Sequence, residues 1–155
     1  SPYINHPIQV VDILWRIGQV RNPTVLAAAL LHDTLEDTDT TTAEIAALFG
    51  PEVCALVQEV SDDKSLPKAV RKQLQIEHAV HASVNAKYIK LADKICNVHD
   101  IHHSPPIAWP LQRRREYLAW TARVVDGLRG THQELETFYD TTLHAAQQRL
   151  QEEVF

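Results

Sequence analysis

An apolar run that leads directly into four ionisable side chains is the feature that most constrains the fold. Residues 25–31 are almost wholly apolar, and His32, Asp33, Glu36 and Asp37 follow within six positions. Carboxylates are costly to bury unless a metal or another positive partner compensates them. The run therefore predicts a helix that enters the core and carries a divalent metal site with it.

Helical spacing relates these four side chains to one another. Residues four apart share a helix face, so we expect His32 beside Glu36 and Asp33 beside Asp37, with the two pairs about 100° apart. We therefore predict one continuous helix from Pro23 toward Asp37, with both pairs lining one groove.

The rest of the chain also has helical periodicity. With 155 residues, 45% hydrophobic content and four glycines, it is long enough for one well-buried domain and short for two. No alternating strand pattern appears, so the predicted fold class is all-α, a single compact multi-helix bundle over residues 1–155 with the metal site between helices. Helices are predicted at 7–18, 23–37, 41–50, from 51, and at 67–79, 86–101, 110–128 and 131–153.

Composition excludes several classes of protein. The net charge of -5 and the lack of a long basic block make polymeric nucleic acid a poor partner, although a small anionic ligand fits a local basic cluster. No apolar run is long enough for a membrane span, and no signal-peptide pattern appears. Cys54 and Cys96 lack CxxC spacing, which argues against a disulfide scaffold. We predict a cytoplasmic protein, and its oligomeric state stays open.

Two further side chains complete a candidate metal site. His6 precedes Pro7 at a predicted helix start, and Asp93 interrupts the apolar face of the helix predicted at 86–101. Together with His32 and Asp33 they give two imidazoles and two carboxylates, a mixed nitrogen and oxygen set that suits Mn, Fe or Zn rather than Ca.

Structural alternatives exist for each of these side chains. His6 also fits a turn or capping histidine, Asp93 also fits an ion pair with Lys90 or Lys94, and the acidic pair at 36–37 also fits a helix end. A second His-Asp pair, at 99–100, stands near a predicted helix end before a polar, proline-containing exit. We interpret that second pair as incidental.

Longer strings give the pattern its specificity. They are Tyr-Ile-Asn-His-Pro at 3–7, Leu-Leu-His-Asp-Thr-Leu-Glu-Asp-Thr at 30–38 and Lys-Leu-Ala-Asp-Lys-Ile-Cys-Asn at 90–97. These strings resemble the hydrolase domain of RelA/SpoT proteins, which carries the HD-domain phosphohydrolase signature, and the similarity covers nearly the whole chain. Residues 60–68 are similar to a segment of the small stand-alone alarmone hydrolases, a group that includes the metazoan SpoT homologue.

The resemblance implies a reaction and a metal. His6, His32, Asp33 and Asp93 would hold one Mn²⁺, and pyrophosphate would be released from the 3′-diphosphate of ppGpp or pppGpp. The acidic pair Glu36 and Asp37 would position or deprotonate the attacking water.

Four substrate-binding residues follow from the same resemblance: Asn97, Lys68, Arg113 and Tyr117. Asn97 lies four residues after Asp93 and so shares its helix face. Arg113 also fits a solvated basic run with its neighbours, and Tyr117 also fits core packing.

Other functions stay open at this point. Some small hydrolases of this type remove the 2′-phosphate of NADPH, and a non-catalytic nucleotide-binding domain is the third interpretation.

The sequence departs from the family pattern in two places, which bear on its affinity for the substrate phosphates. Relatives carry an Arg-Lys pair just before the segment at 3–7, so we expect a missing upstream segment, and His99 stands where relatives often have Arg.

Overall fold

The computed structural model describes residues 2–153, and their side chains from His6 onward. Within that range the secondary structure is entirely helical, which confirms the predicted all-α class. The helices are α1 (Pro2–Arg16), α2 (Pro23–Leu31), α3 (Thr34–Asp37), α4 (Thr42–Phe49), α5 (Pro51–Val60), α6 (Lys68–Ala79), α7 (Val84–His103), α8 (Leu111–Asp126) and α9 (Gln133–Glu152). None of them is long and apolar enough to cross a membrane.

Helix α7 runs through the centre of the bundle. It packs against α9, α1, α8, α5 and α2, and nine of its residues are buried. Where α8 meets α9, the buried Tyr139 hydroxyl forms a 2.8 Å hydrogen bond with the Thr121 hydroxyl, so this apolar layer has its polar groups satisfied. The central position of α7 carries Asp93 into the core, close to α1 and α2.

Capping residues fix several helix starts. Thr41 caps α4: it accepts a 3.2 Å hydrogen bond from the Glu44 backbone N–H, and its hydroxyl donates to the Glu44 carboxylate. Asn22 caps α2 through the Thr24 N–H at 2.9 Å. Between α4 and α5, Gly50 adopts a φ of 92°, which favours glycine.

The first helix differs from its prediction. We expected Pro7 in the first turn, whereas α1 begins at Pro2 and contains Pro7 in its interior. Proline removes only the hydrogen bond that residue 7 would donate to the carbonyl of residue 3, so the helix continues through it. His6 therefore lies within the helix rather than at its start.

The predicted continuous helix over 23–37 is also wrong. Helix α2 ends at Leu31 and α3 begins at Thr34, with His32 and Asp33 in a turn between them. Side chains account for the break: the Thr34 hydroxyl donates to the Leu31 carbonyl at 2.6 Å, and His32 Nδ1 bonds to the Ala29 carbonyl at 2.6 Å. Both acceptors are carbonyls that a continuing helix would use for its own backbone.

Candidate functional site

A cavity of about 310 Å³ opens where α1, the turn between α2 and α3, and α7 meet. Polar and charged side chains make up most of its lining. The lining includes His6, His32, Asp33, Glu36, Asp62, Gln75, Lys90, Asp93, Lys94, Asn97 and Trp120. All four predicted metal ligands thus face the same space, together with the first of the two predicted water-handling acids.

Three of these side chains converge on one point. His6 Nε2 lies 2.7 Å and His32 Nε2 lies 3.3 Å from Asp93 Oδ1. Among the side chains at 6–153, this is the one group of three whose metal-binding atoms all lie within 4.8 Å of one another. Asp33 stands beside it, with Oδ1 3.1 Å from His32 Nε2.

The second oxygen of Asp93 has different partners. Lys94 Nζ lies 2.9 Å from Oδ2, and Asn97 Nδ2 donates to the same oxygen at 3.4 Å. Burial opposes ionisation of Asp93, but the Lys94 charge and the two imidazoles outweigh it and hold the pKa of Asp93 well below its usual range. Asp93 is therefore an ionised carboxylate with one oxygen directed at the two histidines.

The tautomer of His32 is fixed by its backbone contact. Because the Ala29 carbonyl can only accept, Nδ1 must donate, and a neutral imidazole then presents its lone pair at Nε2. That Nε2 is closed off from solvent and makes no aligned hydrogen bond with any described atom. Burial disfavours the charged form of His32, yet the nearby Asp93 carboxylate prevails and raises its pKa to about 9.

These features fit a divalent cation. A buried nitrogen lone pair aimed at two carboxylate oxygens needs either a proton or a metal ion between them. Burial also opposes charge on His6, but the nearby Asp93 carboxylate prevails and raises the pKa of His6 as well. Two imidazole nitrogens with one or two carboxylates suit Mn, Fe or Zn.

The two acids of the 36–37 pair lie in different surroundings. Glu36 lines the cavity, and the nearby Asp62 backbone favours its charged form only in part. Burial and the negative charge of Asp62 raise the pKa of Glu36 to about 7, and the Asp62 carboxylate is itself held by Gln75 Nε2 at 2.7 Å. Asp37 is exposed and lies outside the cavity lining.

The predicted substrate residues fall into two places. Asn97 lies in the cavity, whereas Lys68 and Arg113 are exposed and Tyr117 is half-buried on the neighbouring surface of α6 and α8. Arg113 stacks on the Trp109 ring at 4.0 Å, and Tyr117 packs against that ring at 5.4 Å. The two arrangements considered for Tyr117, packing and ligand contact, are thus both compatible with its position.

Trp120 joins the cavity to this aromatic and basic surface. Its ring lies 5.5 Å from the Tyr117 ring and close to two ammonium groups, with Lys94 Nζ at 4.6 Å and Lys72 Nζ at 4.9 Å from its centroid. Its indole N–H donates to the Lys72 carbonyl at 3.1 Å, which ties α8 to α6. Neither Trp120 nor Lys72 was predicted from the sequence, although each lies three or four residues after a predicted substrate residue and shares its helix face.

The second His-Asp pair lies away from the cavity. His99 and Asp100 have side chains that are 54% and 47% exposed, and His99 Nδ1 is 3.9 Å from Asp100 Oδ1. This position agrees with the interpretation of that pair as incidental. The two lysines considered as partners of Asp93 also differ, since Lys94 forms the ion pair.

Comparisons with known proteins give a consistent result. The HD domain family matches residues 1–119. Guanosine-3′,5′-bis(diphosphate) 3′-pyrophosphohydrolases named MESH1, from Danio rerio and Homo sapiens, are each 52% identical over 136 residues, which is 88% of this chain and 76% of theirs. The solved structure of a metazoan ortholog of SpoT, which hydrolyzes ppGpp and plays a role in starvation responses, aligns with a TM-score of 0.90 and 49% identity over 93% of this chain and 81% of that one.

Proposed function

The chain belongs to the HD-domain family, and from that premise we propose that it is a guanosine-3′,5′-bis(diphosphate) 3′-pyrophosphohydrolase, which converts ppGpp and pppGpp to GDP and GTP with release of pyrophosphate. The observation that carries the proposal is the convergence of His6, His32 and Asp93 in one cavity with Glu36. Identity of 52% to the MESH1 hydrolases supports the same substrate.

Mn²⁺ is the cofactor that we propose, held by His6, His32, Asp33 and Asp93. The support for it is the mixed nitrogen and oxygen donor set and the buried Nε2 of His32 that lacks an aligned partner. When bound, such an ion lowers the pKa of a water molecule and polarises a phosphoryl oxygen.

The side chains of the protein then have distinct tasks. Glu36 accepts a proton from the attacking water, and a pKa of about 7 suits a base that works near neutral pH. Lys94 and Asn97 hold Oδ2 of Asp93, so that Oδ1 stays directed at the histidines. Asp37 was expected to share the work of Glu36, but its exposed position offers no support for that role.

The aromatic and basic surface beside the cavity suits a nucleotide. The rings of Trp109 and Tyr117 offer faces for a guanine base, and Lys68 and Arg113 offer cations for phosphate groups. Asn97 lines the same cavity as the metal ligands, and we propose that it contacts the ribose or a phosphate.

Two further proposals concern the whole chain. We propose that residues 1–155 form one domain, which is supported by the packing of α9 against α7. We propose the cytosol as its compartment, and the support is that Cys54 and Cys96 are buried thiols without a disulfide.

Substrate turnover tests the proposal directly. Purified protein supplied with Mn²⁺ is expected to convert ppGpp to GDP and pyrophosphate, separated by anion-exchange chromatography, and His32→Ala serves as the inactive control. NADPH is assayed in parallel, because removal of its 2′-phosphate is the competing activity. Mn²⁺-loaded protein that releases no pyrophosphate from ppGpp would overturn the proposal, and turnover of NADPH alone would replace it.

A further inference from the structure

Lys90 is a half-buried cation that faces the cavity without an ion pair. It lies one helical turn before Lys94 on α7, and both side chains line the cavity. Lys94 Nζ lies 2.9 Å from Asp93 Oδ2, whereas no carboxylate oxygen of residues 6–153 lies within 4.0 Å of Lys90 Nζ. Burial and the neighbouring Lys94 charge lower the pKa of Lys90, in keeping with a charge that lacks direct compensation.

The acidic groups around Lys90 are bound by other donors. Asp62 accepts from Gln75 Nε2 at 2.7 Å, and Glu59 accepts from the backbone N–H and the hydroxyl of Ser83, both at 2.7 Å. The third, Asp93, is shared between the two histidines and Lys94. Lys90 is therefore held among carboxylates that already have partners.

The charge balance of the cavity shows what Lys90 is available for. Its lining has four carboxylates, Asp33, Glu36, Asp62 and Asp93, and two ammonium groups, Lys90 and Lys94. A diphosphate entering this space meets negative groups on several sides. Of the two lysines in the described lining, Lys90 is the one that stays available to an anion, because the Lys94 charge is taken up by Asp93.

The helix places Lys90 close to the reacting group. Lys90 lies three residues before Asp93, so the two share a face of α7 with their side chains about 5 Å apart at Cβ. A phosphorus atom held beside Asp93 therefore leaves the next phosphate of a diphosphate within reach of the long Lys90 side chain.

We propose that Lys90 is a catalytic residue. Its ammonium group binds the non-bridging oxygens of the 3′-diphosphate and stabilises the negative charge of the pyrophosphate product. This inference rests on the proposed function. In that reaction the water oxygen bonds to the 3′-phosphorus and the bond between phosphorus and O3′ breaks. Glu36 takes one proton from the water and passes it to O3′, which leaves with the electron pair of the broken bond, so the water ends as a hydroxyl on phosphorus and a proton on O3′. Lys90 forms no covalent bond and acts by charge alone.

Substitution of Lys90 tests this assignment against a purely structural role. Lys90→Met removes the charge and keeps an apolar chain of similar length, Lys90→Arg keeps the charge, and Lys87→Met, one turn earlier on α7 and outside the cavity lining, is the matched control. We expect kcat/KM of the Mn²⁺-loaded protein for ppGpp to fall about 100-fold in Lys90→Met. Lys87→Met should match the wild type, and Lys90→Arg should fall in between.

Binding of the two products separates the possible causes. We expect the affinity for inorganic pyrophosphate, measured by calorimetry on the Mn²⁺-loaded protein, to fall more than about tenfold in Lys90→Met while the affinity for GDP is unchanged. Its Tm should equal or exceed that of the wild type, because a half-buried charge without an ion pair has been removed. Unchanged pyrophosphate affinity, or a lower Tm with parallel loss of GDP binding, would overturn the assignment. If the wild-type protein releases no pyrophosphate from ppGpp, that result contradicts the proposed function and not the assignment of Lys90. The pyrophosphate titrations of wild type and Lys90→Met then still test whether Lys90 binds a diphosphate.

Discussion

Lys94 Nζ lies 2.9 Å from Oδ2 of Asp93, its immediate neighbour in the sequence, and the Lys94 side chain is only 5% exposed. The opposite oxygen of the same carboxylate lies 2.7 Å from His6 Nε2. The buried ammonium thus fixes which oxygen of Asp93 faces the histidines. Its neighbour Lys90 has no such partner among the described side chains, so the two lysines of one helix face should respond to substitution in opposite directions.

Loss of the Lys94 charge is expected to destabilise the protein. Lys94→Met removes the nearest cation from the half-buried Asp93 carboxylate and leaves only the two histidines beside it, so we expect a loss of up to about 3–5 kcal/mol in the free energy of unfolding. The measurement is urea unfolding of metal-free Lys94→Met beside Lys90→Met. Equal stability of Lys94→Met and wild type would show that Asp93 does not depend on this ion pair.

Removal of a ligand should abolish metal retention. Asp93→Asn and His32→Ala are each expected to leave the protein with little bound Mn²⁺ after gel filtration, because either change removes one of three converging donors. Elemental analysis of the purified variants measures this. His99→Ala is the matched control from the exposed His-Asp pair, and a large metal loss in that variant would contradict the choice between the two pairs.

Substitution of Glu36 should reduce the rate and raise the stability of the metal-free protein. Burial and Asp62 raise the pKa of Glu36 to about 7, so the folded state holds this proton between about pH 4.5 and 7 when the unfolded chain has lost it. The contribution of Glu36 to the free energy of unfolding of the wild type therefore falls as the pH rises from 4.5 to 7. Glu36→Gln is neutral throughout and avoids that loss, which is on the order of 1–2 kcal/mol above pH 7.

Two measurements check the Glu36 prediction. Chemical unfolding of metal-free wild type and Glu36→Gln at pH 5 and pH 8 should show a difference that grows with pH. Mn²⁺ content should be unchanged while turnover of ppGpp falls. Normal turnover by Glu36→Gln would reject its role as the base.

Metal binding should displace protons from the histidines. In the metal-free protein the Asp93 carboxylate raises the pKa of His32 to about 9, against the effect of burial, and raises that of His6 in the same direction. Protonated His32 stabilises the metal-free fold fully below pH 6.5, and this contribution is lost as the pH rises through about 9. The apparent affinity for Mn²⁺ should therefore rise over the same interval.

Calorimetry checks the proton release. Titration of Mn²⁺ at pH 7.5 in buffers with different ionisation enthalpies is expected to show the release of between about one and two protons per ion. A buffer-independent heat would mean that the two imidazoles are already neutral before the metal arrives.

The sequence predicted the components of the site better than their arrangement. His6, His32, Asp33 and Asp93 were identified from residue type and motif, and α1, the turn after α2, and α7 do bring them to one cavity. Their convergence could not follow from periodicity, because it depends on how α7 packs between α1 and α2.

The break between α2 and α3 shows a second limit. Apolar spacing indicated one helix through Asp37, but two side-chain hydrogen bonds, from His32 and Thr34, end the helix after Leu31. Such competition between side chain and backbone leaves no trace in hydrophobic periodicity. Glu36 and Asp37 were expected to share one role, but only Glu36 lines the cavity.

The contact between His6 and Asp93 joins positions 87 residues apart. A metal ion bound by both residues cross-links the chain across that distance, much as a disulfide does. In any unfolded molecule that keeps the ion, the cross-link restricts the conformations of the chain. A nascent chain cannot complete this cross-link before α7 has left the ribosome. The metal should therefore bind late in folding and slow unfolding more than it accelerates folding.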